Sequence, residues 1–165
     1  MSRELLKHQI LAAAAFWLAA AASLLLFGQP GTDLVLRNSQ SGQIYGTYPV
    51  EEGSRFSVTF IHSVNKSPVT DIYEVRNGTD IYVVETDYYD FGAGVQTELN
   101  PGETLEYGPD GSMEIKNIDK LLPNLIYVVG TVSDHTLAIS GAEISLRDLC
   151  GRNSSVRFTI ENHPF

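Results

Sequence analysis

The sequence predicts an all-β domain, a single sandwich or barrel-like fold of about ten short, mostly antiparallel strands preceded by one hydrophobic N-terminal helix. Three observations carry that prediction. From Asp33 onward the apolar residues come in short runs rich in Val, Ile, Tyr, Phe and Thr, the residue types that suit a pleated, half-buried surface. Gly, Pro, Asn and Asp divide the runs, as turn chemistry requires. The one long uninterrupted apolar stretch, Ile10 to Phe27, lies ahead of them all.

Residues 1–9 carry Arg3, Lys7 and His8 against a single acid, Glu4. Ile10 to Phe27 are then apolar except for Ser23. As a helix this run spans about 27 Å, close to the hydrocarbon core of about 30 Å. The small residues Ala20, Ala21 and Ala22 also suit a signal peptidase. Cutting there would leave Leu24 to Phe27 on the new N-terminus. The expectation is therefore an uncleaved signal anchor over 1–27, a single-pass span in the cell membrane. Its N-terminus is cytoplasmic, because the positive flank stays inside. Residues 28–32, with Pro30, form a linker, and 33–165 form a β domain on the extracytoplasmic side.

Candidate strands follow in order: Asp33–Arg37, Ile44–Pro49, Arg55–His62, Val69–Arg76, Asp80–Tyr88, Glu103–Tyr107, Ser112–Lys116, Leu125–Thr131, Thr136–Ile139, Glu143–Leu146 and Ser155–Glu161. Asn77-Gly78 is a two-residue hairpin signal, since both residues tolerate positive φ. Pro109-Asp110-Gly111 marks a further turn, and Gly141 another. Asn117 to Leu122 reads as one helical turn ended by Pro123. Leu146 to Cys150 reads as a second, closed by Gly151. Period-two alternation assigns Phe56, Val58, Phe60, Tyr82, Val84, Ile126, Val128, Leu137, Ile139, Ile144, Leu146, Phe158 and Ile160 to the core.

Composition narrows the functional classes. The chain has 165 residues, 43% of them hydrophobic, and a formal net charge of -9. That length holds one domain with a real core. The acidic balance argues against nucleic acid as a partner, and against docking on anionic head groups. Cys150 is the only cysteine, so no internal disulfide forms and packing alone must hold the domain. A free thiol in an exported chain belongs in the interior.

Three polar places interrupt the apolar pattern. The first is His62-Ser63-Val64-Asn65-Lys66, with Asp71 and Glu74 after it. His62 ends the row Phe56, Val58, Phe60, because strand side chains alternate. A hairpin turning at Asn65-Lys66 pairs Phe60 with Asp71 and makes Asp71 a diagonal neighbour of His62. The second is Phe91-Gly92-Ala93-Gly94-Val95-Gln96-Thr97, a sharp bend rather than a dinucleotide fingerprint, since no helix pattern follows. The third is Gly130-Thr131-Val132-Ser133-Asp134-His135-Thr136. The binding candidates are thus His62, Ser63, Asn65, Lys66, Asp71, Asp134 and His135, expected as one polar patch at one end of the domain. A serine hydrolase would need a nucleophile beside its base, yet Ser63 and His62 fall on opposite strand faces, and no Gly-x-Ser-x-Gly elbow is present. A metal site could join His62 and His135 to a carboxylate. A satisfied structural cluster is the plainest alternative for either histidine. The residues themselves name no catalytic group, metal or cofactor.

The run His62 to Val69, the Phe91-Gly92-Ala93-Gly94 turn and the run Val129 to Leu137 together resemble an uncharacterised family, number eighteen-fifty in the domain-of-unknown-function series. The likeness covers roughly 33–161. It implies a small exported or membrane-anchored protein, often encoded beside TRAP transporters of the TAXI type. The expected function is that of a non-enzymatic, membrane-anchored accessory protein. Its partners would be the transporter membrane subunit or its solute-binding protein. The alternative is an exported hydrolase or metal-dependent module using His62, Asp71 and His135.

Overall fold

The alternating apolar runs form strands that stack as two sheets, as seen in a computed structural model that describes residues 31–64, 66–89 and 98–163. The expected anchor over 1–27 and the bend at Phe91 to Thr97 lie outside the described residues. No helix among the described residues is long and apolar enough to cross a membrane.

Eleven strands and one short helix follow in order. They are β1 (Gly31–Asn38), β2 (Ile44–Val50), β3 (Arg55–Ile61), β4 (Pro68–Arg76), β5 (Asp80–Tyr88) and β6 (Thr104–Tyr107). After them come β7 (Met113–Leu121), β8 (Leu125–Val128), β9 (His135–Ile139), β10 (Ala142–Ser145), α1 (Leu146–Cys150) and β11 (Ser155–His163). One sheet has the order β2-β1-β11-β8 and the other β10-β9-β3-β4-β5-β7-β6. The strand pairs of known register are antiparallel. Two separate sheets, each with its own edges, make the architecture sandwich-like rather than a closed barrel. Thr32–Asn162 form one compact unit.

The turns behave as their residues demand. Asn77 and Gly78 both hold positive φ, at 52° and 77°. Ser140 and Gly141 do the same between β9 and β10. Ser145 caps α1 by accepting from the Asp148 N–H, and Gly151 ends it at φ 84°, the left-handed conformation that glycine adopts freely.

The main core lies between the sheets. Leu34, Leu36, Val156 and Phe158 from the smaller sheet meet Phe56, Val58, Val75 and Leu137 from the larger. Phe56 stacks on Phe158, their ring centroids 6.1 Å apart. A second, smaller cluster of Val69, Tyr88, Met113 and Ile115 sits further along the larger sheet. Four strands cannot cover seven at about 4.8 Å per strand, so part of the inner face of the larger sheet extends past the smaller one.

Four readings of the sequence are corrected by the fold. Asn117 to Leu122 is not a helical turn. Residues 117–121 belong to β7, which carries a bulge: Val83 pairs with Lys120 and Glu85 with Lys116, which leaves 117–119 opposite Val84 alone. Asn117 and Asp119 adopt positive φ there, at 61° and 50°. Asn and Asp are the residues that tolerate this conformation, and the same preference imitates a turn in sequence. The neighbouring register of β4 and β5 slips at the same place. Faces therefore change across Val84: Tyr82 points outward, under the Arg76 guanidinium, and Ile81 and Val83 take the inner positions. On β8 the assignment is reversed, because Ile126 and Val128 are exposed while Leu125, Tyr127 and Val129 face the core. The run Leu-Ile-Tyr-Val-Val is apolar on both faces, so alternation could not show which face is buried. Finally, β4 does not start at Val69 but one residue earlier, at Pro68. That proline stands opposite Ile61, where a strand tolerates its missing N–H.

Candidate functional site

The 62–67 loop fixes where its neighbours go. His62 N–H donates to the Ser67 carbonyl at 2.9 Å, and Lys66 N–H donates back to the His62 carbonyl at 3.0 Å. Lys66 holds φ at 58°. The loop thus closes as a unit ahead of Ile61 and Pro68. Phe60 pairs with Val69 and Val58 with Asp71, two residues away from the expected register. A two-residue shift keeps every side chain on its face, but it moves Asp71 four residues along the hairpin from His62. The expected His62–Asp71 pair does not form. Asp71 lies mid-sheet on the inner face instead.

There three hydroxyls surround it, two of them donating to it. Thr86 Oγ1 donates to Oδ1 at 2.9 Å. Tyr127 OH donates to Oδ2 at 2.8 Å, and Tyr73 OH reaches Oδ2 at 3.4 Å. The two tyrosine oxygens also hydrogen-bond each other. A phenol has one proton, so a Tyr127 that donates to Asp71 leaves Tyr73 as the donor to Tyr127. Burial, reinforced by the Asp71 charge, drives both tyrosine pKa values far above the ordinary phenol. Both stay protonated donors. Tyr127 comes from β8 of the smaller sheet, so the cluster ties the two sheets together around one carboxylate.

A cavity of about 440 Å³ opens on this carboxylate. Asp71, Tyr73, Val83 and Thr86 form one wall, and Ile118, Lys120 and Leu122 another, with the 100–103 turn at the rim. The β7 bulge builds this cavity. Without it Lys116 and Lys120, four residues apart on one strand, would share the outer face; the bulge turns Ile118 and Lys120 inward.

His135 lies across β3 from Asp71, opposite Phe60. Its ring stacks on Phe60 at 5.5 Å and meets Tyr127 edge-on at 5.6 Å. The Gly130 N–H donates to its Nδ1 at 3.2 Å. Burial lowers its pKa, and the nearby Asp134 charge only partly restores it. Its Nδ1 is occupied as an acceptor, so neutral His135 is a packed, positioned ring. Asp134 is a loop anchor. It accepts from Ser145 Oγ and from the Arg147 and His135 amides. Burial raises its pKa, but these hydrogen bonds outweigh that and leave it below the usual range. Arg147 completes the pinning through the Gly130 and Val132 carbonyls. A side chain at Gly130 would place Cβ 2.1 Å from the Ser133 carbonyl oxygen, so only glycine fits that loop.

The predicted residues therefore divide. The pairing of Phe60 with His135 and with Val69 brings the 62–67 and 130–134 loops to the same end of the larger sheet. Ser63 and Lys66 are exposed there, and His62 is half-buried with Nδ1 accepting from the Val64 N–H at 3.3 Å. Asn65 lies outside the described residues. Asp71 and His135 share Tyr127, away from that rim. His62, Asp71 and His135 do not converge as a ligand set, and among the described residues no three His, Cys, Asp or Glu side chains lie close enough to hold a metal ion. Sequence reading missed Tyr73, Thr86, Tyr127 and Lys120. Tyr73 carried a signal, since it sits two residues from Asp71 on one strand. Tyr127 and Lys120 depended on the β8 face and the β7 bulge. The loop end also gathers exposed apolar groups, Val64 at 63% and Val132 at 87% exposure.

The described residues thus form a two-sheet β domain with a carboxylate clasped by hydroxyls and two polar loops at one end. Residues 56–146, more than half of the chain, match the family described as a domain of unknown function, DUF1850. The chain belongs to that family. No curated protein and no solved structure matches it.

Proposed function

We propose that this protein is a non-enzymatic accessory protein of a TAXI-type TRAP solute transporter, held in the membrane by residues 10–27. The loop end of its β domain docks on the transporter membrane subunit or its solute-binding protein. The observation that supports docking is the pair of exposed valines, Val64 and Val132, on two adjacent polar loops. Protruding apolar groups rimmed by polar ones mark interaction surfaces. Lys66 beside Val64 adds a charge for orientation. The transporter context comes from the resemblance of the His62 to Val69 and Val129 to Leu137 runs. Binding suits the site better than bond breaking, because Nδ1 of both His62 and His135 is taken by backbone N–H groups and a free base is what nucleophilic catalysis needs.

The test is co-purification of the transporter subunits with Val64→Asp and Val132→Asp variants of the full chain, with solute uptake measured in the same cells. Both positions are exposed, so the fold should survive. The expected result is loss of the partner and at least a tenfold fall in uptake. Undiminished co-purification and uptake in the double variant would overturn the reading.

A further inference from the structure

We propose that the cavity at Asp71 is a binding site for a small aliphatic primary ammonium ion, with the Asp71 carboxylate as its counter-ion. This is independent of the docking role of the loops. Asp71 is half-buried, and a carboxylate taken partly out of water is costly unless a charge or several hydrogen bonds compensate it. Asp71 has two neutral hydroxyl donors, Thr86 and Tyr127, with the Tyr73 hydroxyl 3.4 Å away, and, among the described residues, no ion-pair partner. A carboxylate has about four acceptor positions. Thr86 uses one on Oδ1, and Tyr127 one on Oδ2. One position on Oδ1 is left for a donor arriving from the cavity.

The cavity chooses the class of donor. Its volume of about 440 Å³ falls within the range for small-molecule sites, roughly 300–1,000 Å³. Val83, Ile118, Leu122 and Pro101 give it apolar walls, which suit a methylene stem. Its three charged lining groups are Asp71, Glu103 and Lys120, a net negative set that disfavours an anion. Both Glu103 oxygens are engaged by Asn100, at 2.7 Å and 2.8 Å, so Asp71 is the charge left to recognise a ligand. A primary ammonium brings three donors. One can meet Oδ1, and the others can meet hydroxyl oxygens of the same cluster. Charge-assisted bonds of this kind are about twice as strong as neutral ones.

The experiment is calorimetric titration of the purified full chain with 1,5-diaminopentane and pentylamine, with pentanoate as the anionic counterpart. Saturable one-site binding of the amines is expected, and none of pentanoate. Asp71→Asn should weaken amine binding at least tenfold. Ile118→Trp, which fills the cavity without touching the hydroxyl cluster, should abolish it, and this variant keeps the test readable if Asp71→Asn does not fold. Glu85→Gln, on the outer face, should bind like the parent. Equal binding of pentanoate, no binding of either amine, unchanged binding in Ile118→Trp, or equal loss in Glu85→Gln would each overturn the proposal.

Discussion

Asp71 shows how a single residue can join two sheets. Its donors differ in quality, and that difference is measurable. Tyr127 donates at 2.8 Å, whereas Tyr73 reaches the carboxylate only at 3.4 Å and also serves Tyr127. Removing Tyr127 OH takes the better donor from a half-buried charge and leaves the Tyr73 proton only the longer contact to the carboxylate, at 3.4 Å. Tyr127→Phe should therefore cost about 1–3 kcal/mol, and Tyr73→Phe less, in chemical denaturation of the full chain. A larger loss in Tyr73→Phe would reverse this ordering. Asp87 offers a second test. Burial, joined by the Glu85 and Glu114 charges, pushes its carboxyl up to about 6 from an ordinary 3.8, and Oδ1 has no partner among the described residues. A folded-state pKa above the unfolded one means that the native state binds the proton more tightly. This contribution is fully present below about pH 4 and is lost as the pH rises through about 6. Asp87→Asn should then raise stability by about 1 kcal/mol at pH 7 and leave it unchanged at pH 4. Equal effects at both pH values would show that the carboxyl titrates normally.

At the scale of elements, the β7 bulge decides which side chains enter the cavity. Asn117 and Asp119 hold positive φ within a strand, a conformation that costs a β-branched residue about 1–3 kcal/mol. Asn117→Val should destabilise the full chain by that amount, and Asn117→Gly should be neutral, by thermal unfolding. The two variants behaving alike would mean that the bulge tolerates extended backbone. The bulge also explains what could be read from the chain. All eleven strands were legible, because Val, Ile, Tyr and Thr runs bounded by turn residues specify extended backbone locally. Asn77-Gly78 and the Ser145 to Gly151 helix were legible for the same local reason. Register was not. The His62–Asp71 pairing failed because a hairpin loop closes by backbone hydrogen bonds that no side chain announces. The β7 bulge was hidden because Asn and Asp at positive φ look like turn residues in either setting. The faces of β8 were hidden because apolar residues occupy both. Asp134 and His135 were found by their polarity, but their roles as loop anchor and packed ring needed the partners Ser145, Arg147 and Gly130.

On the scale of the whole molecule, a narrower sheet over a wider one leaves a cavity beside the core, and the strand order gathers two polar loops at one end. Docking through those loops is the central claim, and site-specific photo-crosslinking tests it most directly. A benzoylphenylalanine would replace Val132, exposed at 87%, or Ile44, an exposed residue of β2 in the smaller sheet. Both proteins would be irradiated in cells that make the transporter. The Val132 probe should crosslink to the transporter membrane subunit or its solute-binding protein, and the Ile44 probe should not. No crosslink from Val132, or equal crosslinking from both positions, would contradict the claim.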